Sequence, residues 1–294
     1  MKRWLFFFLT NLLVSLTLMF IAGIVMSYFG IQFGSNLGLF ILYFFLGMGG
    51  AFISLQLSKW MAKRTMNLEP LSPGSAIAQK VNHMAKVAGL EKSPEVYFYR
   101  SHEVNAFATG PSRNNSLVAV STGLLDSMNE DEVDGVLAHE VSHIANGDMV
   151  TMTLVQGIVN TFVMFISYVV TQLVMNALRG NDDEDNRGGF GNFFLYHIIH
   201  NVIYTLFSFL SLPLVMYVSR WREYRADIGS AKIVGKQKMI AALQKLQNHV
   251  NNVDKQDKSI EVMAISSKES FIELFSSHPP LEKRIEALRK ERIA

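Results

Sequence analysis

The chain has 294 residues, a length that accommodates two domains, with 49% hydrophobic residues, 18% charged residues and a formal net charge of +2. This balance excludes a plain soluble enzyme and a disordered chain, and the small net charge leaves no general basic field for nucleic acid. Zero cysteines exclude a disulfide scaffold, Cys-ligated zinc and a thiol nucleophile. The charges are also unevenly placed. Residues 4–58, 149–178 and 188–219 contain no Asp, Glu, Lys or Arg, so membrane-type and soluble-type sequence alternate along one chain.

In chain order, residues 1–58 predict two transmembrane helices, near 5–28 and 37–58, because a bilayer core takes about 20 apolar residues in a helix. The break falls in the Gly- and polar-rich stretch Phe29-Gly30-Ile31-Gln32-Phe33-Gly34-Ser35-Asn36. Lys2 and Arg3 could head a cleaved signal peptide, but the apolar run is too long and continues into a second. Residues 59–148 form a first soluble part. Within it 72–90 predict a helix ended by Gly89, and Val96–Tyr99, Asn105–Thr109 and Leu117–Ser121 predict strands. A helix begins after Asn129, where Glu132 completes a capping-box pattern, and reaches at least Ala145.

Residues 149–219 predict two further spans joined by an acidic loop at 179–192. The third span is unusually polar, with Thr151, Thr153, Gln156, Asn160, Thr161, Thr171, Gln172 and Asn176. The fourth carries Pro213, His197 and His200. A second soluble part, 220–294, predicts helices over about 220–231 and 236–248, a polar loop at Asn251–Ser259, and a last helix opened by Pro280. Lys2, Arg3, Lys59, Lys63, Arg64, Arg220, Arg222 and Arg225 fall on one side of this arrangement. Arg179 and Arg187 fall on the other, among Asp182, Asp183, Glu184 and Asp185. The bias predicts four spans with both termini and both soluble parts in the cytoplasm.

The chemistry concentrates at His139-Glu140-Val141-Ser142-His143. Residues i and i+4 share a helix face, so two imidazoles can bind one metal ion while the glutamate between them handles the proton of an activated water. That is metal-assisted amide hydrolysis. The plain reading, two surface histidines on an amphipathic helix, is weakened because Glu140 interrupts the apolar stripe. A third protein ligand is needed. Without cysteine, the segment Arg220-Trp221-Arg222-Glu223-Tyr224-Arg225-Ala226-Asp227 offers Glu223 or Asp227, four residues apart on one helix face. One would bind the metal and the other would orient a ligand imidazole. The residues alone leave that choice open.

Several motifs in order make the chain similar to the HtpX heat-shock membrane proteases, relatives of the CAAX prenyl endopeptidases. They are Asn105–Gly110, Leu137–Met149 with its His139-Glu140-Val141-Ser142-His143 core, Arg222-Glu223-Tyr224-Arg225-Ala226-Asp227, and Ser277-His278-Pro279-Pro280-Leu281-Glu282-Lys283-Arg284 with its continuation to Leu288. The similarity spans essentially the whole chain. It implies an α-helical integral membrane protein with a mainly α, small-sheet α+β zincin-like (gluzincin) catalytic domain. It implies a zinc endopeptidase with one Zn2+ per subunit, held by His139, His143 and Glu223, with Glu140 as base and Asp227 behind a ligand imidazole. It implies that His278 donates to the oxyanion, a kind of contact worth about 3–4 kcal/mol. It further implies a bacterial inner-membrane, multi-pass enzyme embedded in the lipid bilayer. Its partners would be damaged membrane proteins as substrates and other quality-control proteases as associates.

Asn105-Ala106-Phe107 reads as a short strand able to pair with extended substrate, or as an ordinary strand. His197 and His200 read as interfacial packing more readily than as a second metal site. His83, His102 and His249 have no evident partners in the sequence. Two other functions stay in view: a prenyl-protein endopeptidase with the same chemistry, and a metal-binding membrane transporter.

Overall fold

A computed structural model describes residues 20, 24, 27–28, 35–178, 190–256 and 277–291. The first expected span, near 5–28, lies almost wholly outside the described residues, as do residues 179–189 of the acidic loop and 257–259 of the Asn251–Ser259 segment. The described elements are α1 (Asn36–Thr65), β1 (Glu69–Pro70), α2 (Ala76–Val87), β2 (Glu95–Tyr99), β3 (Ala106–Ser112), β4 (Asn115–Ser121), α3 (Thr122–Ser127), α4 (Glu130–Asn146), α5 (Asp148–Leu178), α6 (Phe190–Val234), α7 (Lys236–Gln256) and α8 (Leu281–Lys290). The molecule is mainly helical with one small mixed sheet. The chain divides into two compact units. One comprises residues 1–54 and 153–215, the other 55–152 and 216–294.

The first unit is built from the apolar stretches. Three helices among the described residues, α1, α5 and Gly191–Val234 of α6, are long and apolar enough to cross a membrane by length and composition. Ser35 caps α1 by accepting from the Gly38 amide. A π-helical turn at Phe45–Gly49 interrupts the helix. There α1 crosses α5 closely enough that a Cβ on Gly47 would overlap the Thr161 hydroxyl, while Phe40 packs edge-on against Phe165 at 5.2 Å. Several hydroxyls of α5 turn inward, while Gln156 and Asn176 stay exposed. Thr161, Ser167 and Thr171 are buried, whereas Leu154, Ile158, Phe162, Ile166 and Leu173 are exposed. Thr161 and Thr171 donate to the carbonyls of Gly157 and Ser167, which satisfies hydroxyls that hydrocarbon would leave unpaired.

The second unit has a water-soluble pattern. Its sheet runs β1-β2-β4-β3, with β2 parallel to β4 and both β1–β2 and β3–β4 antiparallel. Leu117, Val118, Ala119 and Val120 of the inner strand β4 are fully buried, with side chains packed on both faces. Val118 and Val120 meet Val81, Met84 and Ala85 of α2 and Val133, Val136, Leu137, Val141 and Ile144 of α4. The Asn129–Glu132 capping box expected from the sequence starts α4. Gly147 ends it with φ 71°, a left-handed conformation that suits glycine. A second apolar cluster joins Ala231 of α6, Met239, Ile240 and Leu243 of α7, and Ile285 and Leu288 of α8.

Three elements depart from the sequence expectations, the first being the short helix α3 at Thr122–Ser127, where no element is predicted. The helix at 236–248 continues to Gln256, so Asn251–Gln256 is helical rather than loop. Nothing in the sequence suggests β1, a two-residue strand containing Pro70. Its pairing depends on β2, and no local pattern of its own marks it.

Candidate metal centre

All the chemistry-bearing residues described below lie in the second unit. Helix α4 is buried along most of its length, and its faces are allotted by packing. The 216–234 segment of α6 runs antiparallel to it at near backbone contact. A Cβ on Gly229 would overlap the Ser142 hydroxyl, and Ser230 Oγ donates to the Gly135 carbonyl at 3.0 Å. This register sets Asp227 beside His139 and Glu223 beside His143. Apolar packing of α8 on α7 brings Arg284 into the same place, next to buried Ile285.

The two imidazoles and Glu223 converge. His139 Nε2 and His143 Nε2 are 3.1 Å apart. Glu223 reaches His143 Nε2 at 3.3 Å through Oε1 and His139 Nε2 at 3.5 Å through Oε2. A tetrahedral ion with ligands at about 2.0–2.1 Å holds neighbouring donor atoms about 3.3–3.4 Å apart. The three observed separations match that spacing, and the donor set of two nitrogens and one carboxylate suits such an ion. Glu223 is buried, and its carboxylate faces both imidazoles, the anionic donor that a cation at this place would need. Among the described residues, His139, His143 and Glu223 form the one cluster of this type. His197 and His200 lie in the first unit, where His200 Nδ1 meets Thr171 Oγ1 at 3.3 Å.

The remaining expected residues surround this cluster. Asp227 Oδ1 lies 3.0 Å from His139 Nδ1. His278, largely exposed, places Nδ1 2.9 Å from Glu223 Oε2. Glu140 is partly buried, and its carboxylate accepts a hydrogen bond from the Ala108 backbone amide of β3. Asn105 immediately precedes β3, and Ala106 and Phe107 open it. The Asn105 amide donates to Ser121 Oγ and its carbonyl accepts from the Ser121 amide. Ala106 and Phe107 pair with Val120 and Ala119 of β4, and Phe107 packs against Tyr99.

Two buried side chains at the site have no role assigned from the sequence. Arg284 grips Asp227 with two bonds, Nε to Oδ2 at 2.8 Å and Nη2 to Oδ1 at 2.6 Å, and its Nη1 is 3.2 Å from Glu223 Oε2. Asp148 meets His143 Nδ1 at 2.6 Å. Both fall inside the motif strings that carry the family resemblance, which is the available signal.

A chain with this cluster matches the model of peptidase family M48 over residues 73–292. The chain belongs to peptidase family M48. This M48 peptidase is 49% identical to "Protease HtpX" of Shewanella pealeana, covering 98% of this chain and 99% of the relative. It is 48% identical to "Protease HtpX" of Shewanella halifaxensis with the same coverage. The crystal structure of S. mikatae Ste24p shares its fold, with TM-score 0.63 and 19% identity. That likeness covers 96% of this chain and 65% of the larger Ste24p chain. Family, relatives and architecture agree on a membrane metalloprotease.

Electrostatics in this M48 peptidase follow from crowding charges where water is scarce. Burial opposes ionisation of Glu223, but the imidazoles of His139, His143 and His278 hold its carboxyl far below the usual range. Burial likewise disfavours charged His143, yet Asp148 and Glu223 push it up to about 9. His139 is also raised, by Asp227 and Glu223 against its burial. Both shifts favour the protonated imidazole, so a bound cation competes with protons at this place. Glu140 moves the other way from Glu223. Its burial raises its pKa, opposed by the two imidazoles, which suits a group that must accept and then return a proton.

Proposed function

We propose that the chain is a zinc endopeptidase, with one Zn2+ per subunit, that hydrolyses peptide bonds of damaged or misfolded membrane proteins at the cytoplasmic face of the bacterial inner membrane. In this reading the chain crosses the bilayer four times, with the first span near 5–28 and both termini cytoplasmic, and works beside other quality-control proteases. The observation that carries it is the convergence of His139 Nε2, His143 Nε2 and a Glu223 carboxylate oxygen within 4.8 Å of one another.

His139, His143 and Glu223 would hold the zinc, which would supply Lewis acidity for activating water and polarising a carbonyl. The chain's own residues do the rest. Glu140 removes the proton of the attacking water and delivers it to the departing amine. Asp227 holds His139 in the orientation that aims Nε2 at the metal. His278 donates to the oxygen of the substrate carbonyl as it becomes negative.

Strand β3 supplies the docking edge. Asn105 faces β4 through its bonds with Ser121. Residues alternate along an antiparallel strand, so the main-chain groups of Ala106 point away from β4, on the same side as the Ala108 amide that holds Glu140. An extended substrate added at this edge runs past the base.

The test pairs two variants of the full-length protein purified in detergent, with zinc analysis and cleavage of a loosely folded protein. Glu140→Ala keeps zinc and loses cleavage by at least a hundredfold, whereas Glu223→Ala loses zinc. Undiminished cleavage by zinc-loaded Glu140→Ala overturns the reading. A strict requirement for prenylated peptides would reassign the substrate class to the prenyl-protein endopeptidases.

A further inference from the structure

We infer that Asp148 is a positioning residue for the second histidine ligand, and that its carboxylate, backed by Arg222, sets how tightly the centre holds its metal. This rests on the reading of His139, His143 and Glu223 as metal ligands.

The observation is a pairing behind each imidazole. Behind His139 stands Asp227, itself gripped by Arg284. Behind His143 stands Asp148, buried, with Oδ2 2.6 Å from Nδ1. Arg222 lies behind Asp148, with Nη1 donating to its carbonyl at 3.4 Å and Nε 3.9 Å from Oδ2. Each ligand is therefore backed by an aspartate and then an arginine, drawn from different elements. For His143 they come from the first residue of α5 and from α6.

The geometry has a chemical consequence. A carboxylate at Nδ1 accepts a hydrogen bond from Nδ1–H, so the neutral imidazole carries its hydrogen on Nδ1 and presents the Nε2 lone pair to the ion. The contact also fixes ring rotation, because Nδ1 and Nε2 lie on opposite sides of the ring. The chain reaches this placement by a sharp local device. Gly147, in the left-handed conformation, ends α4 and lets Asp148 fold back against His143 five residues earlier. A buried carboxylate gains nothing from solvent and is costly unless paired. Here it is spent on a ligand imidazole.

The experiment measures zinc affinity of the full-length protein in detergent by competition against a fluorescent chelator, with Glu140→Gln and Glu223→Ala alongside. Asp148→Asn preserves volume but offers an amide that can bind Nδ1 as donor and favour the wrong tautomer. We expect it to weaken zinc about 10–100-fold, while the metal-free protein melts within a few degrees of the parent. Cobalt substituted at the site reports geometry, and its visible spectrum should shift in Asp148→Asn but not in Glu140→Gln. Asp148→Glu, which keeps the charge, should recover part of the affinity. Zinc affinity within twofold of the parent in Asp148→Asn, with an unchanged cobalt spectrum, overturns the inference. If Glu223→Ala also retains zinc, it is the ligand assignment that has failed, so the two failures read differently.

Discussion

Six residues at the site illustrate what a linear pattern can and cannot carry. His139 and His143 announce themselves because helix periodicity alone puts them on one face. Glu223 and Asp227 are visible as a pair, but their division of labour depends on the antiparallel register of α6 on α4, set by Gly229 against Ser142 and by Ser230 against Gly135. Neither Arg284 nor Asp148 is assignable from the sequence: the partner of Arg284 comes from tertiary packing, and the reach of Asp148 back to His143 depends on the left-handed turn at Gly147. Arg284 meets an aspartate 57 residues away. Removing that arginine leaves Asp227 buried without its cation, an arrangement that typically costs about 3–5 kcal/mol. Arg284→Ala should therefore lower the melting temperature of the metal-free protein by many degrees. Arg284→Lys should recover little, since one ammonium cannot supply the two-pronged bond. A melt of the lysine variant equal to the parent would show that the forked geometry is dispensable.

Elements of the second unit are tied by a charged clamp as well as by apolar packing. Asp134 of α4 sits between Lys80 of α2 at 2.8 Å and Lys238 of α7 at 2.7 Å. Burial works against its ionisation, but the two ammonium groups hold its carboxyl below the ordinary value. A depressed folded-state pKa stabilises the fold above the unfolded value near 3.9, and that contribution disappears as pH falls through the folded-state pKa. At pH 7 Asp134→Asn should cost about 1–2 kcal/mol, read as a drop of a few degrees in metal-free protein. Toward pH 3 the gap between variant and parent should close, and a gap that persists in acid would assign the loss to packing. The same scale explains the extended end of α7. Asn251, Asn252, Asp254 and Lys255 form a polar run that reads as loop, yet the helix extends to Gln256 from its packed first turns. Tertiary support outweighs local propensity there.

Across the whole molecule the two units obey opposite burial rules. In the first, α5 buries hydroxyls and exposes leucine, isoleucine and phenylalanine, the arrangement a lipid solvent selects. In the second, most charged side chains away from the metal centre face outward and valines fill the core. This contrast follows the charge-free stretches of the sequence, which is why the mainly helical membrane architecture is legible from composition and periodicity. The order of strands is not, because parallel pairing of β2 with β4 skips over β3. The absence of cysteine makes the proposed orientation easy to test with single introduced thiols. Lys92→Cys, at an exposed position of the second unit, should react with a membrane-impermeant maleimide only after the cells are opened. Asn181→Cys, in the acidic segment, should react in intact spheroplasts. The reverse pattern would invert the orientation.

In the proposed function, the edge of β3 left unpaired among the described residues has a wider implication. Main-chain hydrogen bonds are the same for every residue, so a grip of that kind contains no alphabet. Selection then passes from the letters of the substrate to the time each spends unravelled. When opening is fast relative to cutting, every 1.4 kcal/mol of stability a substrate retains slows its destruction about tenfold. An enzyme that gripped substrate in the proposed way would measure the stability of its substrates, and would need no recognition sequence to find the failing ones.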